Sequence, residues 1–504
     1  MTRRRAVIAG AVVVLALLAA WMGGGAGASQ ADHFGWASLL PPLATLALVF
    51  ATREVVSALV FGVVVGGFVV GRANLVDAFF LPALATESFA VIVLVYFWAL
   101  GALIGLWGRT GGAARFAEWA GRRVVRGPRT AQLFTWALGL VIHQGGTIST
   151  VLTGTTARPV LEKESVSHEE ASFLVDVTGS PVASLIPLNV WPLYVAGLVA
   201  GTTPLLATEA EAVSFFFRSI PVNFYAILAV GGAMLFALRV LPWQGRRMRD
   251  ARTRVEDGGP LDRPGSSPLA STELHDARVP DGYRPSQIDF LLPIAVLIGV
   301  AAAGVVPPLM AGELGGISVP IAEAFLLAVG VAFVLALVRG MSLENAMDAV
   351  VEGIKGVTIG AIVLGLAVTL GEVSQTVGAA AYLVETTAAS LPGPILPAAI
   401  FVLCMAVAFA IGSSFSTFAV VFPIAMPLAW AVHPDPFFLS LSFGAVLGGG
   451  VFGDQCSPIS DSTILSALAT GSDLMDHTLS QLPLGLAAAA AAFLLYLATG
   501  VALV

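Results

Sequence analysis

The chain has 504 residues, 57% of them apolar and 11% charged, with a net charge of -7. At a mean hydropathy of +0.89 it has too few charges to cover several soluble domains, and it has no basic block of the nucleic-acid-binding kind. Its two cysteines, Cys404 and Cys456, exclude a disulfide framework or a cysteine-rich metal site and read as small buried packing residues.

Residues 1–35 open with "MTRRR" and an apolar run. They are expected to be a signal-like segment or, preferably, a retained first transmembrane helix with its arginines inside. Apolar stretches near 37–52, 55–71, 88–107, 130–143, 171–206 and 219–241 then form a first transmembrane repeat over 36–242. A polar linker spans 243–287. Stretches near 288–308, 317–338, 356–376, 393–412, 414–432, 437–470 and 481–504 form a second repeat over 288–504. About a dozen such stretches, without barrel-type alternation, predict an all-α polytopic membrane protein. Segments 207–218 and 342–355 are expected to be amphipathic surface helices.

Loop 108–130 holds Arg109, Arg115, Arg122, Arg123, Arg126 and Arg129 against Glu118, and the linker opens with Arg246, Arg247, Arg249, Arg252 and Arg254. Both should be cytoplasmic. "GGTISTVLTGTTARPVL" (145–161) and "GSSFSTFAVVFPIAMPL" (412–428) share a glycine, a Ser-Thr pair and a proline, and each is followed by an apolar segment containing Ser-Pro. The connection before the first is basic, whereas 377–391 before the second holds Glu385 and no basic residue. Two inverted-topology repeats with broken or re-entrant helices meeting near the bilayer midplane are therefore expected. Chance likeness between small-residue membrane helices is the alternative.

The strongest chemical signal is "GDQCSPISDSTILS" (453–466). An aspartate at the centre of a spanning helix costs roughly 2.5–3.5 kcal/mol. Two in one segment call for water, protons, a cation or a partner. Pro458 supplies no N–H to the carbonyl of Asp454, so a break is expected there, with Ser457 as N-cap and Pro458 opening a half-helix. Free carbonyls, hydroxyls, Asp454 and Asp461 make a hard-oxygen set of the kind that accepts Na+. The alternative is a pair of capping aspartates in a water-exposed loop.

In the first half, "DVTGSPVASLIPLN" offers Asp176, Thr178, Ser180, Ser184 and Asn189, with Pro181 as the matching break. These groups either ligate or hydrogen-bond neighbouring helices. Thr147, Ser149, Thr150, Ser413, Ser414, Ser416 and Thr417 either line a pathway or pack. His143 and Gln144 end an apolar helix, as a titrating pair or as interfacial residues.

Residues 453–483, "GDQCSPISDSTILSALATGSDLMDHTLSQLP", resemble the NhaC-type Na+/H+ antiporters of the inverted-repeat ion transporters, with their Ser-Pro-x-Ser-Asp core, Asp-His and Gln-Leu-Pro. Stretches 38–66, 165–188 and 412–429 extend the resemblance. It implies that Asp454, Ser457, Asp461 and Thr463 bind the cation, that a carboxylate also takes the proton, and that Asp176 and Ser180 face them from the other repeat. Two positions depart from the pattern: His143-Gln144 stand where many relatives carry an acidic pair, and Gln455 where a histidine is usual.

The resulting expectation is a secondary antiporter of the cytoplasmic membrane that exchanges Na+ for H+ by alternating access. The alternative is an organic acid or amino acid exchanger of the same fold, coupled to Na+ or H+. An enzyme is not expected, since no G-x-S-x-G elbow, H-E-x-x-H pair or Walker loop occurs. No cofactor is expected beyond the transported Na+ and H+. The expected partners are the lipid bilayer, a small cation and the proton, with no nucleic acid; a homodimer is left open.

Overall fold

The computed structural model describes residues 33–504 apart from 53, 87–88, 91–92, 124, 144–145, 187–188, 190, 270–278, 304–319 and 389–391. The expectations for residues 1–32 and for Gln144 lie outside these residues. Among the described residues there are helices and no strand. The first half contains α1 (Leu40–Thr52), α2 (Val55–Val70), α3 (Leu100–Thr110), α4 (Gly112–Arg123), α5 (Pro128–Val141) and α6 (Gly146–Lys163). It continues through α7 (His168–Val177), α8 (Ser180–Leu185), α9 (Trp191–Val199), α10 (Glu209–Ser219) and α11 (Phe224–Ala237). After α12 (Arg246–Glu256) the second half runs through α13 (Ile288–Ala303), α14 (Ile321–Val338), α15 (Leu343–Gly356), α16 (Thr358–Thr376) and α17 (Ala379–Ala388). It ends with α18 (Leu396–Ile411), α19 (Ser414–Val432), α20 (Pro436–Cys456), α21 (Asp461–Thr470) and α22 (Leu474–Leu503).

Each half carries one motif: a helix, a tight turn, a second helix, a break and a short helix. In the first half these are α6, α7 and α8; in the second, α19, α20 and α21. Local chemistry sets the turns. Ser167 caps α7 through the N–H of Glu170, whose carboxylate reaches back to the Ser167 N–H, which satisfies two orphan donors at once. Asp435 caps α20 ahead of Pro436, a position that needs no proline N–H. The motifs interlock: α6 and α7 pack on α21, α8 on α20, and α9 on α19.

The two motifs point in opposite directions. α6 and α19 both start beside Asp454, where Ser414 donates to its carboxylate and Gly146 lies close by. α6 ends near the linker, where Glu162 meets His168 and His168 meets Asp262. The same end holds the start of α22, through the Arg263–Asp476 pair. α19 ends at Val432, which shares Gly393 as a neighbour with Val504 at the far end of α22. One helix therefore leaves the centre for the start of α22 and its counterpart leaves for the finish, as inverted repeats require. The arginine loop belongs to the linker end, because Gly111 abuts Val279 and Pro285.

Five helical segments among the described residues are long and apolar enough to cross a membrane: Gly35–Thr52, Gly393–Ile411, Ser414–Val432, Pro436–Cys456 and Leu474–Leu503. Counting each of two bent pairs as one span brings the total to at most 7. Among the described residues, polar breaks divide some of the dozen apolar stretches into shorter helices. Segment 171–206 is the clearest case, splitting into α7, α8 and α9. The two expected surface helices form as α10 and α15, and each bends into the helix that follows, α10 by 52° onto α11 and α15 by 42° onto α16, as in a broken span or a re-entrant loop. α15 leaves Leu343, Met347 and Val351 exposed on its outer face and packs its small-residue face on α3. A Cβ on Gly353 would lie 2.0 Å from the carbonyl of Gly101, so only glycine permits that approach.

The linker is not merely a polar connector. α12 docks by buried charge, Arg252 on Glu170 at 2.7 Å and Arg254 on Glu169 at 2.7 Å. The guanidinium of Arg252 also stacks 4.6 Å from the Phe236 ring centroid. Cys404 and Cys456 are buried free thiols.

Candidate functional site

α20 ends at Cys456, and Pro458 follows within one turn, so the carbonyl of Asp454 loses its helical partner. The chain extends at Ser457 and does not resume as helix until Asp461. This corrects the expected start: Ser460, not Ser457, holds the N-cap position of the half-helix, and Pro458 lies inside a four-residue break. Ser460 does not cap with its side chain. Its hydroxyl donates instead to Asp454 Oδ1 at 2.5 Å.

Two further hydroxyls reach the same carboxylate. Ser180, first residue of α8, donates to Asp454 Oδ2 at 2.8 Å, and Ser414, first residue of α19, donates to it at 3.1 Å. A carboxylate is acceptor-only and can take all three, and each donor oxygen keeps lone pairs. The three hydroxyls come from three different elements and both halves. Asp454 is 4% exposed, and Ser180, Ser414 and Ser460 are buried. Gly146 roofs the group, since a Cβ there would stand 2.2 Å from Ser180 Oγ. Asp461 is partly buried in the first turn of α21, where the positive end of the helix dipole favours its charge. The charges of Asp454, Asp461 and Asp176 are close enough to act on one another. Among the described residues, no Lys or Arg forms an ion pair with any of the three.

The remaining expected residues divide by where the structure puts them. The Asp454 carbonyl freed by Pro458 is occupied by Thr463, whose hydroxyl lies 3.1 Å from it and 2.9 Å from the carbonyl of Gln455. Thr463 thus braces the break rather than touching the carboxylates. Ser457 turns away and donates to the carbonyl of Phe409 at 2.7 Å, tying α18 to the break. Asp176 does not bond to the Asp454 group; its Oδ2 meets His477 Nε2 at 3.1 Å and Gln481 Nε2 at 2.9 Å.

Pro181 stands at the start of α8, as the first-half break requires. Thr178 donates to Leu174 and Ser184 to Pro181, within their own turns. Asn189 donates to the carbonyls of His143, Ala183 and Ile186, closing the ends of α5 and α8. His143 Nδ1 lies 3.0 Å from the carbonyl of Leu140. Ser149 and Thr150 are buried on α6, and the Ser149 hydroxyl has no partner among the described residues; the side chain of Thr147 lies outside them. Ser413 caps α19 through the N–H of Ser416, and Thr417 donates to Ser413.

Ser460 escaped the sequence reading because its role follows from the true start of α21. His477 and Gln481 were legible only as part of a motif; their pairing with Asp176 spans about 300 residues of sequence, and no local pattern announces it.

An uncharacterized protein of Haemophilus influenzae is 27% identical over 492 residues, covering 92% of this chain and 90% of its own. The Na+/H+ antiporter NhaC of Alkalihalophilus pseudofirmus is 39% identical over 75 residues, 15% of this chain and 16% of that protein. A solved structure of Neisseria gonorrhoeae MtrF, presented as illuminating a class of antimetabolite efflux pumps, aligns with 99% of this chain and 95% of its own. Its identity is 14% and its TM-score 0.33, too low to carry an argument. The Na+/H+ antiporter family matches residues 182–501, more than half of the chain and all of the second break. This multi-pass membrane protein belongs to the Na+/H+ antiporter family.

Proposed function

We propose that the chain exchanges Na+ for H+ across the cytoplasmic membrane by alternating access, with Asp454 and Asp461 as the anionic ligands and Ser180, Ser414 and Ser460 as neutral oxygen ligands. The observation that carries the proposal is the Asp454 carboxylate, held at the break by hydroxyls from both halves and, among the described residues, by no fixed cation. Hard oxygen donors suit Na+, and a cation bound there would join α8, α19 and the α20–α21 break. Movement of one motif against the other would then open the site to either end. The linker end is cytoplasmic on the positive-inside rule. Loading a proton onto the carboxylates removes the charge that attracts the cation, so the two ions exclude each other.

The test is Na+-driven proton movement in proteoliposomes without organic solute. Asp454→Asn should lower the rate at least about tenfold, the scale of losing one charge-assisted contact of roughly 1.5–3 kcal/mol, while the protein remains membrane-inserted. An unchanged rate refutes the site. Strict dependence on an added organic acid or amino acid in the wild type refutes the cargo.

A further inference from the structure

A second buried group lies on the other face of the break, outside the cation ligands proposed above. Asp176 of α7 and His477 of α22 are both fully buried, and their side chains meet at 3.1 Å. The ionised Asp176 carboxylate, which can only accept, assigns the tautomer. Ser466 donates to the carbonyl of Thr463 at 3.0 Å, so its oxygen faces His477 Nε2, also at 3.0 Å, as an acceptor. The other neighbour of Nε2 is the Asp176 carboxylate. With acceptors on both sides, Nε2 carries the hydrogen. His477 Nδ1 is then the nitrogen free to gain or lose a proton, and it has no hydrogen-bond partner among the described residues. Asp176 Oδ1 is likewise unpartnered.

The pair is wired to the cation centre. Gln481 Nε2 donates both to Asp176 Oδ2 and to the carbonyl of Gln455 at 2.6 Å, the same carbonyl that Thr463 braces. Tyr225 of α11 donates to Gln455 Oε1 at 2.7 Å. The titratable groups around the pair are Asp454 and Cys456 on α20, Asp461 on α21, Tyr225 on α11 and Asp476 beside His477 on α22. The linker's Arg263 pairs with Asp476.

We infer that Asp176 and His477 form a proton-binding centre separate from the cation ligands, taking one proton on His477 Nδ1. This rests on the cation reading of Asp454. Protonation changes the pair from a net charge of -1 to zero and so makes the potential at Asp454 and Asp461 more positive. The proton therefore opposes the cation without sharing a ligand with it, and the exchange counts one proton more than the Asp454–Asp461 carboxylates alone release.

The test counts protons released when Na+ is added to the purified protein in weakly buffered medium containing a pH indicator. His477→Gln retains a donor for Asp176 but cannot titrate. It should release about one proton fewer per Na+ bound, and the pH dependence of Na+ affinity should lose a step. An unchanged count and pH profile overturn the inference. If that variant does not fold, infrared difference spectra of the wild type with isotope-labelled histidine decide: Na+ addition should remove an imidazolium band that shifts with the label, and absence of such a band overturns the inference. A wild type that releases no proton on Na+ addition defeats the cation reading itself, a different result from either.

Discussion

The protein answers buried carboxylates in two ways. At the linker end Glu170 faces Arg252, Glu169 faces Arg254, Asp476 faces Arg263 and Asp289 faces Arg339, each with a permanent cation. At the centre Asp454 meets three serine hydroxyls and, among the described residues, no fixed positive charge. Hydroxyls satisfy hydrogen bonding without neutralising charge, so the centre keeps an anionic site that a mobile cation or proton can fill. At the linker end the arginines hold the linker in place. A carboxylate's permanent partner thus separates structural acids from candidate working acids more sharply than burial does.

The strongest way to break this contrast is to supply the centre with a fixed cation. Ser414→Lys places an ammonium beside Asp454. At about 4 Å and an effective dielectric of about 20, the pair is worth roughly 4 kcal/mol. Na+-driven proton movement should fall by about a thousandfold in proteoliposomes that contain the same amount of inserted protein. Exchange at the wild-type rate would show that Asp454 has no need of a mobile countercharge.

The converse change removes a fixed cation from the linker end. Arg252→Ala leaves Glu170 buried with Gln132 and Ser167 but without its guanidinium. Stranding a buried charge costs about 3 kcal/mol at the low end of measured cases, and these remaining donors place Glu170 there. The thermal unfolding midpoint should drop clearly while exchange per folded molecule stays at the wild-type level. Lost exchange in protein of unaltered stability would mean that the linker takes part in transport.

The same contrast explains what the sequence disclosed. Charge in an apolar run is costly, so Asp454 and Asp461 were visible from composition alone, and Pro458 marked the break beside them. The inversion of the halves was legible because loop charge and the paired Gly/Ser/Thr stretches are local patterns. The helix start at Asp461 was misplaced because a Ser-Pro pair fits both the first turn of a helix and an extended gap, and the choice depends on Ser460 finding Asp454. Thr463, Ser457 and Asp176 were assigned to one cluster because they share a segment or a motif. Packing distributes them to a carbonyl brace, a tie to α18 and a pair with His477. The docked linker was illegible because its arginines find acids far away in sequence.

The smallest expected effect tests whether the linker clamp, unlike the centre, is governed by permanent charge alone. His168 contacts Asp262 at 2.8 Å and Glu162 at 3.2 Å. Burial opposes its charged form, but these two hydrogen bonds outweigh that cost and raise its pKa above the ordinary 6.5. A raised folded-state value means that the pair's stabilisation is complete below about 6.5, the value in the unfolded chain, and is lost as pH rises through the folded one. Because Asp262 and Glu162 are both partly exposed, the gain should be about 1 kcal/mol or less. His168→Gln should therefore loosen the linker near pH 6 and change little near pH 9, read as cleavage after the linker arginines by limiting trypsin. Burial also raises the Glu169 carboxyl in the same clamp, and subtracting variant from wild type at each pH removes that shared contribution. A difference that grows toward alkaline pH would reverse the sign and show that His168 docks the linker as a neutral ring.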